Sequence, residues 1–136
     1  MTELRIFYMT IQMLIINMDY DKLCSQIFEF DPKVRFVAVY DFWAECLAGG
    51  MRKDVDNLLP EKVTKNLINQ ALLRWKSRKT TEEWVGKAKY AMAEYEKVKR
   101  ITFYFNENEL LLLSTEADAD HELIIKNIKK LISDSS

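Results

Sequence analysis

The chain has 136 residues, 49% hydrophobic and 30% charged, with a net charge of −1 at neutral pH. This length and balance fit one globular domain able to bury a core, and they exclude both a polar disordered chain and a globally basic nucleic-acid protein. The near-neutral total conceals a pattern: residues 62–100 carry eleven Lys/Arg against four Asp/Glu, residues 1–61 six against ten, and residues 101–136 three against seven. A basic middle third therefore lies between two acidic flanks. With 3 glycines and 2 prolines, linkers are not expected, and only Ser133-Asp134-Ser135-Ser136 reads as a frayed end.

Residues 1–17 read as an apolar extension ahead of a single domain over 18–136. Ile6 to Ile16 is broken by Thr10 and Gln12 and is shorter than the ~20 residues a spanning helix needs, so no transmembrane segment is expected. The polar Asn17-Met18-Asp19 that follows is not a small-residue cleavage site. Three roles stand open: an extra core element, a sticky segment that pairs with a second copy, or an upstream extension with the functional start at Met18. An ordered element that packs or dimerises is the favoured one.

Asp19 is placed to cap a short helix in which Tyr20, Leu23, Cys24, Ile27 and Phe28 make an apolar stripe, and Pro32 ends it. From Val34 the period changes to two, with Val34, Phe36, Ala38 and Tyr40 on one side and Arg35, Val37, Val39 and Asp41 on the other. Both sides are largely apolar, which predicts a central strand. After a reversal at Phe42-Trp43, Ala44 to Ala48 returns as its neighbour, and Gly49-Gly50 is expected to let the chain leave the sheet. Pro60 suits the first turn of a helix from about Leu59 to Arg78, with Val63, Leu67, Ala71, Leu72 and Trp75 inward.

A second helix is predicted at once. Thr80 and Glu83 have the spacing of a capping box, and Trp84, Ala88, Ala91, Met92 and Tyr95 form its stripe, with Gly86 marking a close contact. Val98 to Phe105 alternates again, Asn106-Glu107-Asn108 turns, and Leu110 to Ser114 returns as a buried strand. Asp118 or Asp120 caps a last helix, with Leu123, Ile124, Ile128 and Leu131 inward and Lys126, Lys129 and Lys130 outward. The fold class is α+β: an antiparallel sheet of four to five strands with helices packed on it, in the order α-β-β-α-α-β-β-α.

That order resembles the roadblock, longin-like and profilin-like group of small domains. Local phrases are also similar to a family of short, functionally uncharacterised archaeal proteins of the ammonia-oxidising lineage: Val34-Arg35-Phe36-Val37, Leu47-Ala48-Gly49-Gly50, Leu58-Leu59-Pro60, Leu73-Arg74, Gly86-Lys87, Tyr90, Glu96-Lys97-Val98 and Leu111-Leu112-Leu113-Ser114. The resemblance spans roughly residues 19–132. The chain departs from it at Asp41-Phe42-Trp43-Ala44, where the family has a glycine-containing turn. It implies a partner-binding or sensory module, and it carries over no catalytic residue. Two unpaired cysteines point to the cytoplasm, the apolar first segment and the sheet edges that need cover point to a homodimer, and a small GTPase or other signalling protein is the partner to look for.

The residues themselves offer three candidate chemistries, each beside a plainer reading. His121 with Asp118, Asp120 and Glu122 could suggest a metal or acid/base cluster, yet acidic residues at a helix start also complement its dipole. Arg74, Trp75, Lys76, Arg78 and Lys79, with Lys87 nearby, could hold a phosphate-rich ligand or single strand, whereas cations also favour a helix C-terminus and Trp75 suits a core. Trp43, Phe42 and Tyr40, with Arg35, could line a ligand pocket, or simply supply buried area. Cys24 and Cys46 lack metal or redox spacing, and reduced thiols are expected, with contact between them left open. No nucleophile elbow, phosphate loop or Walker lysine occurs.

The expectation is therefore a non-enzymatic regulatory, sensory or scaffolding module without cofactor or metal, acting through protein contacts as a homodimer. Two alternatives remain beside it: a small-molecule sensor with an aromatic pocket, and a nucleic-acid accessory using the basic helix pair. Nucleic acid is the less favoured partner.

Overall fold

The computed structural model describes residues 3–7 and 17–135. Residues 3–7 are helical; the remainder of the apolar extension, and the role expected for it, lie outside the described residues. Helix α1 (Asn17–Phe30) leads into β1 (Val34–Asp41) and β2 (Cys46–Met51). Helix α2 (Glu61–Lys79) and the one-turn α3 (Glu82–Val85) follow, then β3 (Tyr90–Glu94), β4 (Val98–Phe103), β5 (Glu109–Glu116) and α4 (His121–Ser135). Since α1 already includes Asn17, Asp19 lies within the helix rather than capping it.

The strands form one antiparallel sheet in the order β2-β1-β5-β4-β3. The two-sided apolar character of β1 is explained by this order, because β1 pairs with both β2 and β5 and is covered on both faces. On one face Val37, Val39, Ile101, Phe103, Leu111 and Leu113 meet Leu23, Cys24 and Ile27 of α1 and Ile124, Ile125 and Ile128 of α4. On the other, Ala38, Tyr40 and Leu110 meet Ile68, Leu72 and Trp75 of α2.

Three sequence expectations are corrected. Residues 80–95 are not a second long helix: α3 stops after one turn because Gly86 takes φ 84°, and Tyr90–Glu94 pairs with β4. Thr80 and Thr81 do not box the helix with Glu83; their hydroxyls donate to the carbonyls of Ser77 and Arg78 at the end of α2. Gly49 and Gly50 do not lead out of the sheet but sit inside β2, opposite Ala38 and Val37. Within the helices, Val63 and Leu123 are exposed, while Ile68 and Ile125 take inward positions.

The departure at the first turn has a local solution. Ala44 adopts φ 64°, the conformation a glycine would supply, and Asp41 Oδ1 accepts hydrogen bonds from the backbone N–H of Trp43 at 2.8 Å and Glu45 at 3.0 Å. Arg52, unremarked in the sequence, secures the end of α1 by donating to the carbonyls of Phe28, Asp31 and Val34 at 2.7–2.9 Å. Cys24 and Cys46 are free thiols, and burial, with a smaller contribution from Cys46, pushes Cys24 up to about 12.

Candidate interaction surfaces

The basic run at the end of α2 is split by the helix into two groups. Trp75 points at the sheet and is 3% exposed, stacked between Phe42 at 4.9 Å and Tyr104 at 5.6 Å. Of the aromatic hairpin residues, Phe42 is thus occupied by Trp75 and Tyr40 is buried beneath α2. Lys79 lies 4.5 Å from the Trp75 ring centre and 5.0 Å from that of Phe42, and Arg78 lies 5.8 Å from that of Tyr104. Arg74 and Lys76 face outward and are exposed.

Glu107, at the β4–β5 turn, closes this cluster. Its carboxylate pairs with Lys87 and lies 3.7 Å from Lys79, so the hydrogen bond and charge of Lys87 hold it below the usual carboxylate range. The hollow enclosed by Trp75, Lys79, Lys87, Tyr104 and Glu107 measures about 110 Å³. The basic helix pair is therefore one long helix and one turn, and Lys79 at the end of α2 and Lys87 just after α3 are joined through a carboxylate. Arg35 is held away from this cluster, donating to Glu116 at 2.7 Å and to the Asp56 carbonyl at 2.7 Å. Trp43 is 44% exposed, with the guanidinium of Arg5 5.6 Å from its ring centre.

His121 begins α4, and its Nδ1 accepts from the Lys99 ammonium at 2.9 Å, which also donates to the Ala119 carbonyl at 2.8 Å. The helix cap is Asp120, accepting from the Leu123 N–H at 3.2 Å, while Asp118 pairs with Lys33 at 2.9 Å. Among the described residues no group of three or more His, Cys, Asp or Glu side chains is placed to hold a metal ion.

The second surface was hidden in the sequence by the helix reading of residues 80–95. Among the described residues strand β3 ends the sheet and pairs only with β4. Its Tyr90 and Met92 are 40% and 37% exposed on the α4 side and, with His121, Ile125, Lys126 and Lys129, border a groove of about 460 Å³. On the α2 side Ala93 is exposed and Ala91 and Thr102 are half-buried, so α2 leaves this half of the face uncovered. An alternating Tyr90/Met92/Glu94 pattern was present in the sequence and could have revealed the strand.

Solved structures place this architecture among Roadblock/LC7 domains. MglB from Myxococcus xanthus superposes with a TM-score of 0.67 at 12% identity, covering 88% of this chain and 86% of that one. MglB from Thermus thermophilus, described as a gliding protein, gives 0.65 at 12% identity over 84% and 85%. A Roadblock/LC7 domain from Streptomyces avermitilis gives 0.63 at 10% identity over 84% and 92%. At such identities the likeness shows the fold. The chain itself belongs to DUF6659, a family of unknown function, whose sequence pattern matches residues 13–134. No curated protein matches the sequence. Among the described residues no helix is long and apolar enough to cross a membrane.

Proposed function

We propose that this chain is a non-enzymatic regulatory module that works as a homodimer, joined edge to edge through β3, and presents its helices to a protein partner. The observation that carries the reading is the unfinished β3 side of the sheet. An edge strand that, among the described residues, pairs on one side alone and exposes Tyr90 and Met92 is a template for another strand, and such edges are ordinarily covered or blocked. Antiparallel self-pairing centred on Met92 would set Tyr90 of one copy opposite Glu94 of the other. It would also bring the second copy's α2, with Leu73 63% exposed, toward the bare Ala91–Ala93 face. Self-association as such is supported by a relative in fold, an MglB described in a tetrameric arrangement.

The expected partner, a small GTPase or another signalling protein, belongs to the same reading, as do the cytoplasmic setting and the archaeal kinship. Arg74, Lys76, Arg78, Lys79 and Lys87 supply the partner-facing charge around the buried Trp75, with Trp43 at the neighbouring turn, whereas Arg35, at the opposite end of β1, is held by Glu116. The sensor and nucleic-acid alternatives lose ground because Phe42, Trp75 and Tyr104 stack on one another and Glu107 neutralises Lys79 and Lys87. Light scattering at micromolar concentration tests the dimer: twice 16.1 kDa is expected for the natural chain and a single-chain mass for the Met92→Lys, Ala93→Arg double variant. A natural chain that scatters only as 16.1 kDa overturns it.

A further inference from the structure

Lys99 carries a charge that the fold buries without a charged partner. It lies within β4 and is 7% exposed, and its ammonium donates to the Ala119 carbonyl at 2.8 Å and to His121 Nδ1 at 2.9 Å. Both acceptors are neutral, and an ammonium has a third N–H to place. Among the described residues Lys99 makes no ion pair. The Asp118 carboxylate feels the charge of Lys99, yet it is committed to Lys33 at 2.9 Å. Buried charges are ordinarily balanced by an opposite charge close by, so this one leaves a place for an anion.

His121 carries that demand to the surface. Because Nδ1 accepts, the ring proton sits on Nε2, away from Lys99, and among the described residues no acceptor meets it. The ring borders the groove of about 460 Å³ between α4 and β3. His121, Ile125 and Lys129 recur at every fourth position of α4 and so share one face of the helix, with Lys126 beside them. The Lys129 ammonium lies 4.9 Å from the centre of the Tyr90 ring, and among the described residues neither Lys126 nor Lys129 makes an ion pair. Tyr90 and Met92 offer an aromatic ring and a thioether, surfaces on which a flat apolar group packs well. Glu122 also borders the groove, and alternation along β3 sets Glu94 on the Met92 face. Three ammonium groups thus stand against two carboxylates, a near balance. The preference for an anion comes from the unpaired Lys99 and the imidazole N–H, not from a surplus.

We propose that the groove between β3 and α4 binds a small organic carboxylate with a flat apolar body: the carboxylate accepts from His121 Nε2–H and pairs with Lys126 and Lys129, while the body lies on Met92 and Ile125 against the Tyr90 ring. The volume suits such a molecule. Lys99 is a positioning residue, fixing the tautomer of the ring that meets the ligand. Edge pairing through β3 uses backbone groups rather than this face of the strand, so the site does not depend on the dimer.

Amide NMR titration of the full chain tests it, with 3-phenylpropanoate as the probe, 3-phenylpropan-1-ol as its uncharged counterpart and acetate as the carboxylate without a body. Saturable shifts are expected at Tyr90, Met92 and residues 121–129 with 3-phenylpropanoate, at a Kd on the order of 1 mM. The alcohol and acetate should each bind about fivefold more weakly or worse. The His121 ring nitrogens should show the Nε2–H tautomer, with the Nε2 resonance moving on binding. Lys126→Ala with Lys129→Ala, both at exposed positions, should weaken binding roughly fivefold. Lys62→Ala with Lys130→Ala removes the same charge away from the groove and should leave binding unchanged. No saturable shift, equal affinity for the alcohol, shifts confined to other surfaces, or indifference to the Lys126 and Lys129 substitutions would each overturn the proposal. Binding that occurs only as the light-scattering mass falls to that of a single chain would overturn it too, giving the groove to Glu94 of a second copy.

Discussion

Gly49→Ala is the substitution whose consequence the structure states most directly. Gly49 lies within β2 at φ 90°, and a Cβ built there would stand 2.1 Å from the Val37 carbonyl oxygen, 2.8 Å from the Ala38 Cα and 3.0 Å from the Val37 carbonyl carbon. All three are backbone atoms of β1, so relief requires moving a strand rather than turning a side chain. Left-handed strain contributes roughly 1–2 kcal/mol, and forcing the strands apart adds about 1–3 kcal/mol, the usual scale of overpacking. At about 3–5 °C per kcal/mol for a domain of this size, the melting temperature should fall by roughly 10–20 °C. Gly86→Ala is the control: φ is 84°, but nothing lies within 4 Å of the added atom. With ψ −179° Gly86 holds an extended positive-φ conformation that only glycine readily adopts, so the substitution should show backbone strain without overlap, about 1–3 kcal/mol or a fall of roughly 3–15 °C. Both substitutions gain equally from a stiffer unfolded chain, so a larger fall at Gly49 than at Gly86 reports the overlap with β1. Thermal unfolding followed by circular dichroism reads both, and equal shifts would refute the in-strand placement of Gly49.

Ala44→Gly should act in the opposite sense, because Ala44 already holds φ 64° in the β1–β2 turn. Relief of the strain, less the entropy a glycine adds to the unfolded chain, leaves about 0.5–1 kcal/mol of stabilisation, readable as a higher urea midpoint; a lower midpoint would show that the methyl group packs usefully. Asp41 has a pH signature. Burial raises its pKa above the ordinary value of 3.8, against lowering by the Glu45 and Trp43 backbone donors, so the folded state binds the proton more readily than the unfolded. Stability conferred by the protonated form is therefore lost as pH rises from about 4 through the raised value. Asp41→Asn keeps an acceptor for the Trp43 and Glu45 N–H groups but cannot ionise, so its unfolding free energy relative to the natural chain should climb between about pH 4 and neutrality. A difference flat across that range, measured by urea titration, would contradict the assignment.

Local chemistry in the sequence determined the β1–β2 and β4–β5 hairpins, the central position of β1, the long helix after Pro60 and the last helix, because in each only one periodicity fits the apolar residues. Residues 88–95 satisfied two. Ala88, Ala91, Met92 and Tyr95 recur as on a helix, while Tyr90, Met92 and Glu94 alternate as on a strand, and hydrogen bonding to β4 decided between them. Gly49-Gly50 likewise reads as an exit until β1 is seen pressed against it. For the candidate residues, sequence named the charges and rings but not their partners. Trp75 and Lys79 meet Phe42 across the hairpin, Lys87 meets Glu107 across the sheet end, and Arg35 is turned to Glu116. Such pairings join residues 20 to 81 positions apart, so no local spacing encodes them. The groove between β3 and α4 and the open β3 edge became visible only when the chain had closed around its core, since exposure is what remains after every other surface has found a neighbour.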